Sequence, residues 1–381
     1  RKKHFMQSPT HFSSSNPALA TDQNASSRAT LSAPPHGLAR RSFIRSLGIG
    51  AALLVPGAGL LDATREAFAQ AGSESDPSVV TAGDIAILRF LAAAELIEQD
   101  LWQQYTELAD GNPSYGEALA VLDEDMNQYI EDNTDDELSH ADFLNAFLVS
   151  VGAQAVNLDA FRTLPSSQAT GAQQIGRLTN LMNLTVDTSW WIRYRSTDSL
   201  DFGANFPQFI DIVNRPSIPL QDLPSGSDEI QAIANTAAFH FGTIEQGGTD
   251  LYPSLALKVT DLTVLKILLG IGGSEVNHFA IWHDKAGNAP EVSVPGVSFP
   301  DMKSFEGDEL RQKNLIMPEP CKFIASQLPQ CSIIRPTTAK RPGATAAFNG
   351  LTGSGLFAGQ SSGFFTTMND LARAADRAFR S

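Results

Sequence analysis

Four long segments of the chain carry apolar residues at alternating three- and four-residue steps, which is the spacing of one face of an α-helix. The first segment, helix A, is predicted to begin near Asp84 and to run to about Ala109. The sequence Asp-Gly-Asn-Pro at residues 110–113 then ends it, because glycine and proline both disfavour helical backbone. Helix B follows in one or two pieces and ends near Gly152.

The other two segments form a second pair. Helix C is predicted over residues 227–257, and helix D starts after Asp261 and ends near residues 286–288. A long connection, residues 152–226, separates the pairs and contains a short helical stretch around Gln173 to Trp191. Short links within each pair and a long link between pairs predict an all-α bundle of four helices in up-down-down-up order, made of two antiparallel hairpins.

The rest of the chain is divided around this bundle. The bundle domain is predicted over residues 80–289, with the crossover as an insertion, and residues 290–381 form a loop-rich extension packed beside it. The extension contains a strand-like piece at Val292 to Val297 and an amphipathic helix from Thr366 to Phe379.

The predicted core stripe of each helix is apolar at its ends and carries carboxylate or imidazole groups in its middle. These groups are Glu95 on helix A, Glu137 and His140 on B, Glu245 on C, and Glu275 and His278 on D. Burying one ionised carboxylate costs several kcal/mol, and four close together also repel one another. Two divalent cations would neutralise the four charges. Imidazole and carboxylate are suitable ligands for iron and manganese, so we predict two metal ions, iron or manganese.

The spacing of these residues supports a common level in the bundle. Glu245 and Glu275 lie at equal sequence distances from the turn between helices C and D, which places them at the same height in an antiparallel hairpin. Glu137 lies more than one helical turn too far from the A–B turn to match Glu95, so a kink or a separate first turn in B must absorb the difference. Glu98 also falls on the core stripe of helix A and is an alternative to Glu95 as the ligand.

Taken together, these motifs resemble those of the ferritin-like superfamily of di-metal carboxylate proteins, which place Glu, Glu-x-x-His, Glu and Glu-x-x-His on four successive helices. The resemblance covers roughly residues 80–290. It implies that Glu137 and Glu275 bridge the two metals. Tyr252, seven residues after the helix-C glutamate, is similar to the third-helix tyrosine of bacterioferritin-type members.

The resemblance also implies how the remaining ligands divide and what the protein does. Glu95 with His140 would complete one metal site, and Glu245 with His278 would complete the other. Within the superfamily, the chain is similar to twin-arginine-exported ferritin-like domain proteins related to desiccation-associated proteins. The implied function is an oxidoreductase that acts on oxygen or peroxide. The alternatives are a non-catalytic, stress-related metal-binding or structural bundle and a manganese catalase.

Two features depart from the cage-forming ferritins. The crossover is far longer than theirs, and a long extension follows helix D. Both would obstruct a closed shell of many subunits, so no cage is expected. The formal net charge of −15 also argues against nucleic acid or an anionic membrane surface as a partner.

Residues 1–69 are predicted to be a disordered N-terminus followed by an export signal. Arg40-Arg41 and the residues around them resemble a twin-arginine signal, and the apolar run from Leu47 to Leu61 is too short to span a membrane. Ala67-Phe68-Ala69 suits signal peptidase. We therefore expect a periplasmic or secreted protein without a stable membrane span. In that compartment, Cys321 and Cys331 either form a disulfide or remain thiols.

Overall fold

The computed structural model describes residues 80–193, 207–305, 324–334 and 343–380, and also residues 316, 318, 320 and 321. All of them belong to one compact unit, residues 60–381. The predicted export signal, residues 1–69, lies outside the described residues, and its assignment stays a prediction.

Helices dominate the described part of the chain, and its strands are short. In chain order, the elements are α1 (Ala82–Gly111), α2 (Pro113–Ala120), α3 (Met126–Ser150), β1 (Leu184–Val186), α4 (Trp190–Arg193), β2 (Ile212–Arg215), α5 (Asp228–Ala256), α6 (Leu262–Ala286), β3 (Val292–Val294), β4 (Val297–Phe299), α7 (Gly343–Gly353) and α8 (Ser362–Asp376). Strand β1 pairs with β2 and β3 pairs with β4, both antiparallel. The all-α class predicted from the sequence is confirmed.

Four long helices form the bundle. Helix α1 packs against α3, and α5 packs against α6. Tyr252, in the last third of α5, contacts Glu95 on α1, whereas His240 in the first half of α5 contacts Tyr105 near the end of α1. Helices α1 and α5 are therefore antiparallel. The predicted extents of helices A, C and D are confirmed to within a few residues.

The predicted break in helix B is also confirmed. Helix α2 is a separate short piece, and residues 121–125 separate it from α3. Asn112 ends α1 and caps α2, where its side-chain oxygen accepts a hydrogen bond from the backbone N–H of Tyr115 at 3.1 Å. The separate piece absorbs the extra length of helix B and lets Glu137 on α3 reach the level of Glu95 on α1.

The start of α1 is tied to the turn between α5 and α6. Thr81 is the N-cap residue, so the helix begins slightly before the predicted start near Asp84, and the side chains of Thr81 and Asp84 form a reciprocal capping box. The carboxylate of Asp84 also accepts hydrogen bonds from the backbone N–H of Thr260 at 2.9 Å and of Asp261 at 3.3 Å. Asp261 in turn caps α6, which starts at the next residue, as predicted for helix D. One buried carboxylate thus joins the start of α1 to the turn that leads into α6.

Helix α6 alone among the described helices has the length and hydropathy of a membrane span. Buried helices in the cores of other proteins pass the same test, and α6 packs along α5 within the bundle. The absence of a stable membrane span after signal removal therefore stays a prediction.

The crossover is mostly irregular, and the predicted helix from Gln173 to Trp191 is wrong. Of residues 173–191, all of which the structure describes, only Trp190 and Trp191 are helical, and they begin α4. The carboxylate of Asp100 on α1 accepts hydrogen bonds from the backbone N–H of Leu178 at 3.0 Å and of Thr179 at 2.9 Å. Because a side chain on the bundle satisfies these backbone groups, the segment lies extended across α1 instead of forming its own helix.

The C-terminal extension packs on the bundle through two helices. The predicted amphipathic helix is confirmed as α8, shifted towards the N-terminus, and α8 packs on α1 while α7 packs on α5. The carboxylate of Asp376 accepts hydrogen bonds from the backbone N–H of Ala344 at 3.0 Å and of Thr345 at 2.9 Å, so the end of α8 caps the start of α7. Cys321 is buried, Cys331 is exposed, and no disulfide joins these two described residues.

Candidate metal centre

Six side chains converge in the middle of the bundle. In two overlapping groups, one ligand atom from each residue lies within 4.8 Å of the others: Glu95, Glu137, His140 and Glu275 form the first group, and Glu137, Glu245, Glu275 and His278 form the second. Glu137 and Glu275 belong to both groups, as the bridging role implied by the resemblance requires. Each residue is buried from solvent. The structure thus brings all six predicted residues together, while their role as ligands stays a prediction.

The two Glu-x-x-His turns point their imidazoles at the carboxylates of other helices. His140 Nδ1 lies 3.0 Å from an oxygen of Glu137, and 3.4 Å from oxygens of both Glu95 and Glu275. One imidazole nitrogen on α3 therefore contacts carboxylates from α1 and α6 as well as its own helix.

His278 on α6 makes the corresponding contacts in the second group. Its Nδ1 lies 3.1 Å from an oxygen of Glu137 and 3.3 Å from an oxygen of Glu245. Its other ring nitrogen, Nε2, lies 3.1 Å from the carboxylate of Asp136 on α3. A carboxylate in that place fixes the ring orientation and leaves Nδ1 facing the cluster.

Five polar atoms of the cluster are buried and make no well-directed hydrogen bond, although all except Glu275 Oε2 lie 3.1–3.4 Å from a ring nitrogen or carboxylate oxygen of the cluster. They are Glu95 Oε2, Glu245 Oε2, both carboxylate oxygens of Glu275, and His278 Nδ1. Each such atom costs about 1–3 kcal/mol when nothing compensates its lost hydration. All five belong to the donor types that bind iron and manganese. The arrangement of these atoms therefore fits a pair of metal ions placed between the four helices.

Asn133, one helical turn before Glu137, holds the carboxylates from the side. Its amide donates hydrogen bonds to Glu137 at 2.8 Å and to Glu245 at 3.2 Å, and its oxygen accepts one from the indole N–H of Trp282 at 2.8 Å. Asn133 lies on the apolar stripe predicted for helix B, and its amide there was the signal in the sequence for this role. No comparable signal marked Asp136, which lies off that stripe.

Tyr252 donates a hydrogen bond from its phenol to Glu95 Oε1. Burial, and then the charges of Glu95 and Glu275, raise the pKa of this phenol well above its usual range, so it keeps its proton. The tyrosine singled out by the resemblance thus contacts the centre through the glutamate on α1.

Glu98, the alternative ligand on helix A, lies outside both groups. Its side chain is half-buried and lines a cavity between α1 and α5. The geometry therefore favours Glu95 over Glu98 as the α1 residue at the centre.

A glycine permits the close approach of α5 and α6 at this level. A Cβ atom at Gly248 would overlap the carboxylate of Glu275, so no larger residue fits there with Glu275 in its present position. By contrast, a Cβ atom at the adjacent Gly247 would meet nothing within 4 Å. Of the two neighbouring glycines, only Gly248 is required by the centre.

The charges at the centre perturb each other strongly. Burial, and next to it the charge of Glu245, raises the pKa of Glu137 to about 7. Burial and the charge of Glu137 raise the pKa of Glu275 well above its ordinary value. Burial opposes the protonation of His140, but hydrogen bonds to Glu137 and Glu95 raise its pKa to about 10. Without cations, the cluster therefore holds protons at neutral pH that metal ions would have to displace.

A family model described as a ferritin-like domain matches residues 83–288, more than half of the chain. The chain belongs to the ferritin-like domain family. The match runs from α1 to just beyond α6 and includes all six residues of the centre. No curated protein and no solved structure gives a significant match to this ferritin-like chain. Its similarity to exported and desiccation-associated proteins stays a prediction.

Proposed function

We propose that this ferritin-like protein is exported, binds two iron or manganese ions, and is an oxidoreductase that acts on oxygen or peroxide. The observation that carries the proposal is the cluster of six buried glutamate and histidine side chains between the four bundle helices. Four glutamates at one buried site would carry a charge that two divalent cations balance. A bundle would gain no stability from such a cluster without cations.

By resemblance to the family pattern, each residue of the centre would have its own part in holding the ions. Glu137 and Glu275, which belong to both groups, would bridge the ions. The other four residues would divide into Glu95 with His140 and Glu245 with His278. When bound, the ions supply the reversible changes of oxidation state that reaction with oxygen or peroxide requires.

The protein's own groups would orient the ligands and control protons around the centre. Asn133 holds two of the carboxylates, and Asp136 fixes the imidazole of His278. The phenol of Tyr252 lies against Glu95 and retains its proton, so it is a donor next to the centre. Burial of all the ligands limits access of water to the ions.

Elemental analysis of protein purified from its native host, followed by assays with oxygen and peroxide, tests the proposal. About two equivalents of iron or manganese, with consumption of oxygen or peroxide that depends on a reductant, is the expected result. Turnover of peroxide without any reductant by the manganese form would favour the manganese catalase. Zinc, or the absence of metal, would favour a non-catalytic bundle.

Export is a separate part of the proposal and has its own test. It is supported by the Arg40-Arg41 pair and the Ala67-Phe68-Ala69 pattern in the sequence. Replacing both arginines by lysine should leave precursor in the cytoplasm, detected by fractionation, because the twin-arginine route reads the pair itself. Unchanged export of the double variant would contradict this route.

A further inference from the structure

A large cavity lies between the bundle and the segments outside its four helices. Its volume is about 720 Å³, within the range of pockets that bind small organic molecules. Helices α1 and α5 form one wall, the crossover around β1 and β2 forms another, and α7 with part of α8 forms a third. The C-terminal extension thus completes a cavity that the bundle alone does not enclose.

The cavity is lined mainly by apolar side chains. These include Phe90, Ile97 and Leu101 from α1, Ile244 and Leu251 from α5, and Phe348 from α7. Three of its lining residues carry carboxyl groups, Glu98, Asp187 and Asp211, and no lysine or arginine is among the described lining residues. An anionic ligand would find no lysine or arginine to pair with here, whereas an uncharged apolar molecule would bury its surface against the apolar walls.

The inner end of the cavity reaches the candidate metal centre. Gly248 lines the cavity and also lies directly against the carboxylate of Glu275. Glu98 also lines the cavity and lies one helical turn from Glu95. Burial, and then the charges of three glutamates of the centre, raise the pKa of Glu98, so its carboxyl group lies close to the centre. Because Gly248 has no side chain, only backbone separates the cavity from a bridging glutamate at this point.

We propose that this cavity binds an uncharged, largely apolar molecule, with one end against Glu98 and Gly248. The binding itself does not depend on the metal. That this molecule is also the organic substrate of the centre rests on the proposed function, because only a metal-loaded centre would act on a molecule bound there.

Binding is measured with dodecan-1-ol, by displacement of the uncharged dye Nile red from the purified full-length protein. Dodecanoate has the same chain length and is ionised at neutral pH, so it tests the effect of the acidic lining. We expect dodecan-1-ol to bind at least about tenfold more tightly than dodecanoate. Equal or tighter binding of dodecanoate would overturn the proposed ligand class.

Three glycines provide a matched set of variants. Gly247 on α5 and Gly350 on α7 line different walls of the cavity. Gly270 lies on the exposed side of α6 and does not line the cavity. A Cβ atom at any of these three glycines would meet nothing within 4 Å. Gly247→Leu and Gly350→Leu should each weaken dodecan-1-ol binding about tenfold or more, because the added side chain fills the cavity. Gly270→Leu should leave binding unchanged. Wild-type affinity in both cavity variants would contradict the proposal.

Metal analysis of the same samples separates this inference from the proposed function. If dodecan-1-ol binds as expected to a protein that takes up no metal, the cavity is established and the metal function fails. If the protein binds two metals but neither the dye nor the alcohol, the cavity proposal fails alone.

In cobalt-loaded protein, dodecan-1-ol should shift the visible absorption of the wild type and not of Gly350→Leu. An unshifted wild-type spectrum would overturn its assignment as substrate.

Discussion

Residues at the centre of this bundle are constrained by each other more than by their own helices. Glu275 has two buried oxygens without a hydrogen-bond partner and lies against the backbone of Gly248. Glu137 is held by Asn133 and contacts both imidazoles. Such an arrangement leaves little freedom for a carboxylate to move. A small substitution next to one carboxylate should therefore lower the metal affinity measurably.

The adjacent glycines on α5 provide the sharpest test at this scale. Gly248→Ala should displace the carboxylate of Glu275 and weaken metal binding about 10–100-fold, because the added methyl group overlaps that side chain. Gly247→Ala should keep wild-type affinity and should gain up to about 1 kcal/mol in stability from helix propensity. Competition with a chelator measures the affinity, and urea unfolding measures the stability. Equal metal affinities in the two variants would show that Gly248 has no special role.

At the scale of elements, polar side chains decide where helices begin and which segments meet. Asp84 joins the start of α1 to the backbone of Thr260 and Asp261 between α5 and α6. Asp100 similarly binds the backbone of the crossover. Each is a buried carboxylate that accepts hydrogen bonds from backbone groups of a distant segment.

Removal of the Asp84 carboxylate should therefore cost more stability than loss of an ordinary helix cap. Asp84→Ala should lower the free energy of unfolding by about 1–3 kcal/mol, because it leaves buried backbone N–H groups without a partner. Asp125→Ala is a suitable control, since Asp125 is exposed at the start of α3 and its side chain makes no capping hydrogen bond. The control should change stability by no more than about 0.5 kcal/mol. Similar urea midpoints for both variants would contradict the role of Asp84.

The elements also show what the sequence can predict. Apolar periodicity located the four bundle helices, and the mismatch between Glu95 and Glu137 required the break between α2 and α3. The helix expected from Gln173 to Trp191 does not form. Backbone N–H groups in this segment donate hydrogen bonds to Asp100, far away in sequence, instead of to carbonyls within a helix. Helix α7 was missed because its glycines lower helix propensity, and only packing on α5 and the cap from Asp376 explain it.

The candidate site could be predicted for a different reason. Buried charge is so unfavourable that Glu and His in the middle of four apolar stripes have few explanations. Their spacing alone named the six residues, with Glu98 left as an alternative to Glu95. The side chains that hold them could not all be found in this way. Asp136 contacts His278 across two helices, and such a contact depends on helix packing that periodicity does not determine.

At the scale of the whole molecule, the segments outside the four helices cover the bundle along α1 and α5. Helices α7 and α8 pack there, beyond the residues matched by the ferritin-like domain. The cavity enclosed between these parts combines residues from three distant regions of the chain. Its existence could not be predicted from any local pattern, because it depends on how separate segments pack together.

The charge state of the cluster should make stability depend on pH in opposite ways with and without metal. Folding raises the pKa of Glu137 to about 7 and of His140 to about 10, so the metal-free folded state binds more protons than the unfolded state. Stability from a raised pKa is present at low pH and is lost as pH rises through the folded value. The metal-free protein should therefore melt at higher temperature at pH 5 than at pH 7.

Metal ions require deprotonated ligands, so the metal-loaded protein should instead lose stability from pH 7 to pH 5. The variant Glu137→Gln with Glu275→Gln should reduce the pH dependence of the metal-free form and abolish tight binding of the metal pair. Thermal melting of the metal-free, metal-loaded and double-variant proteins across this range measures both effects. Identical melting of the first two at every pH would show that the cluster is not a buried metal site.

Anomalous diffraction from crystals of the metal-loaded protein tests the central claim most directly. The account predicts two peaks about 4 Å apart, at the absorption edge of iron or manganese, enclosed by the four glutamates and two histidines of the centre. A single peak there, or peaks only elsewhere in the molecule, would contradict the two-metal centre.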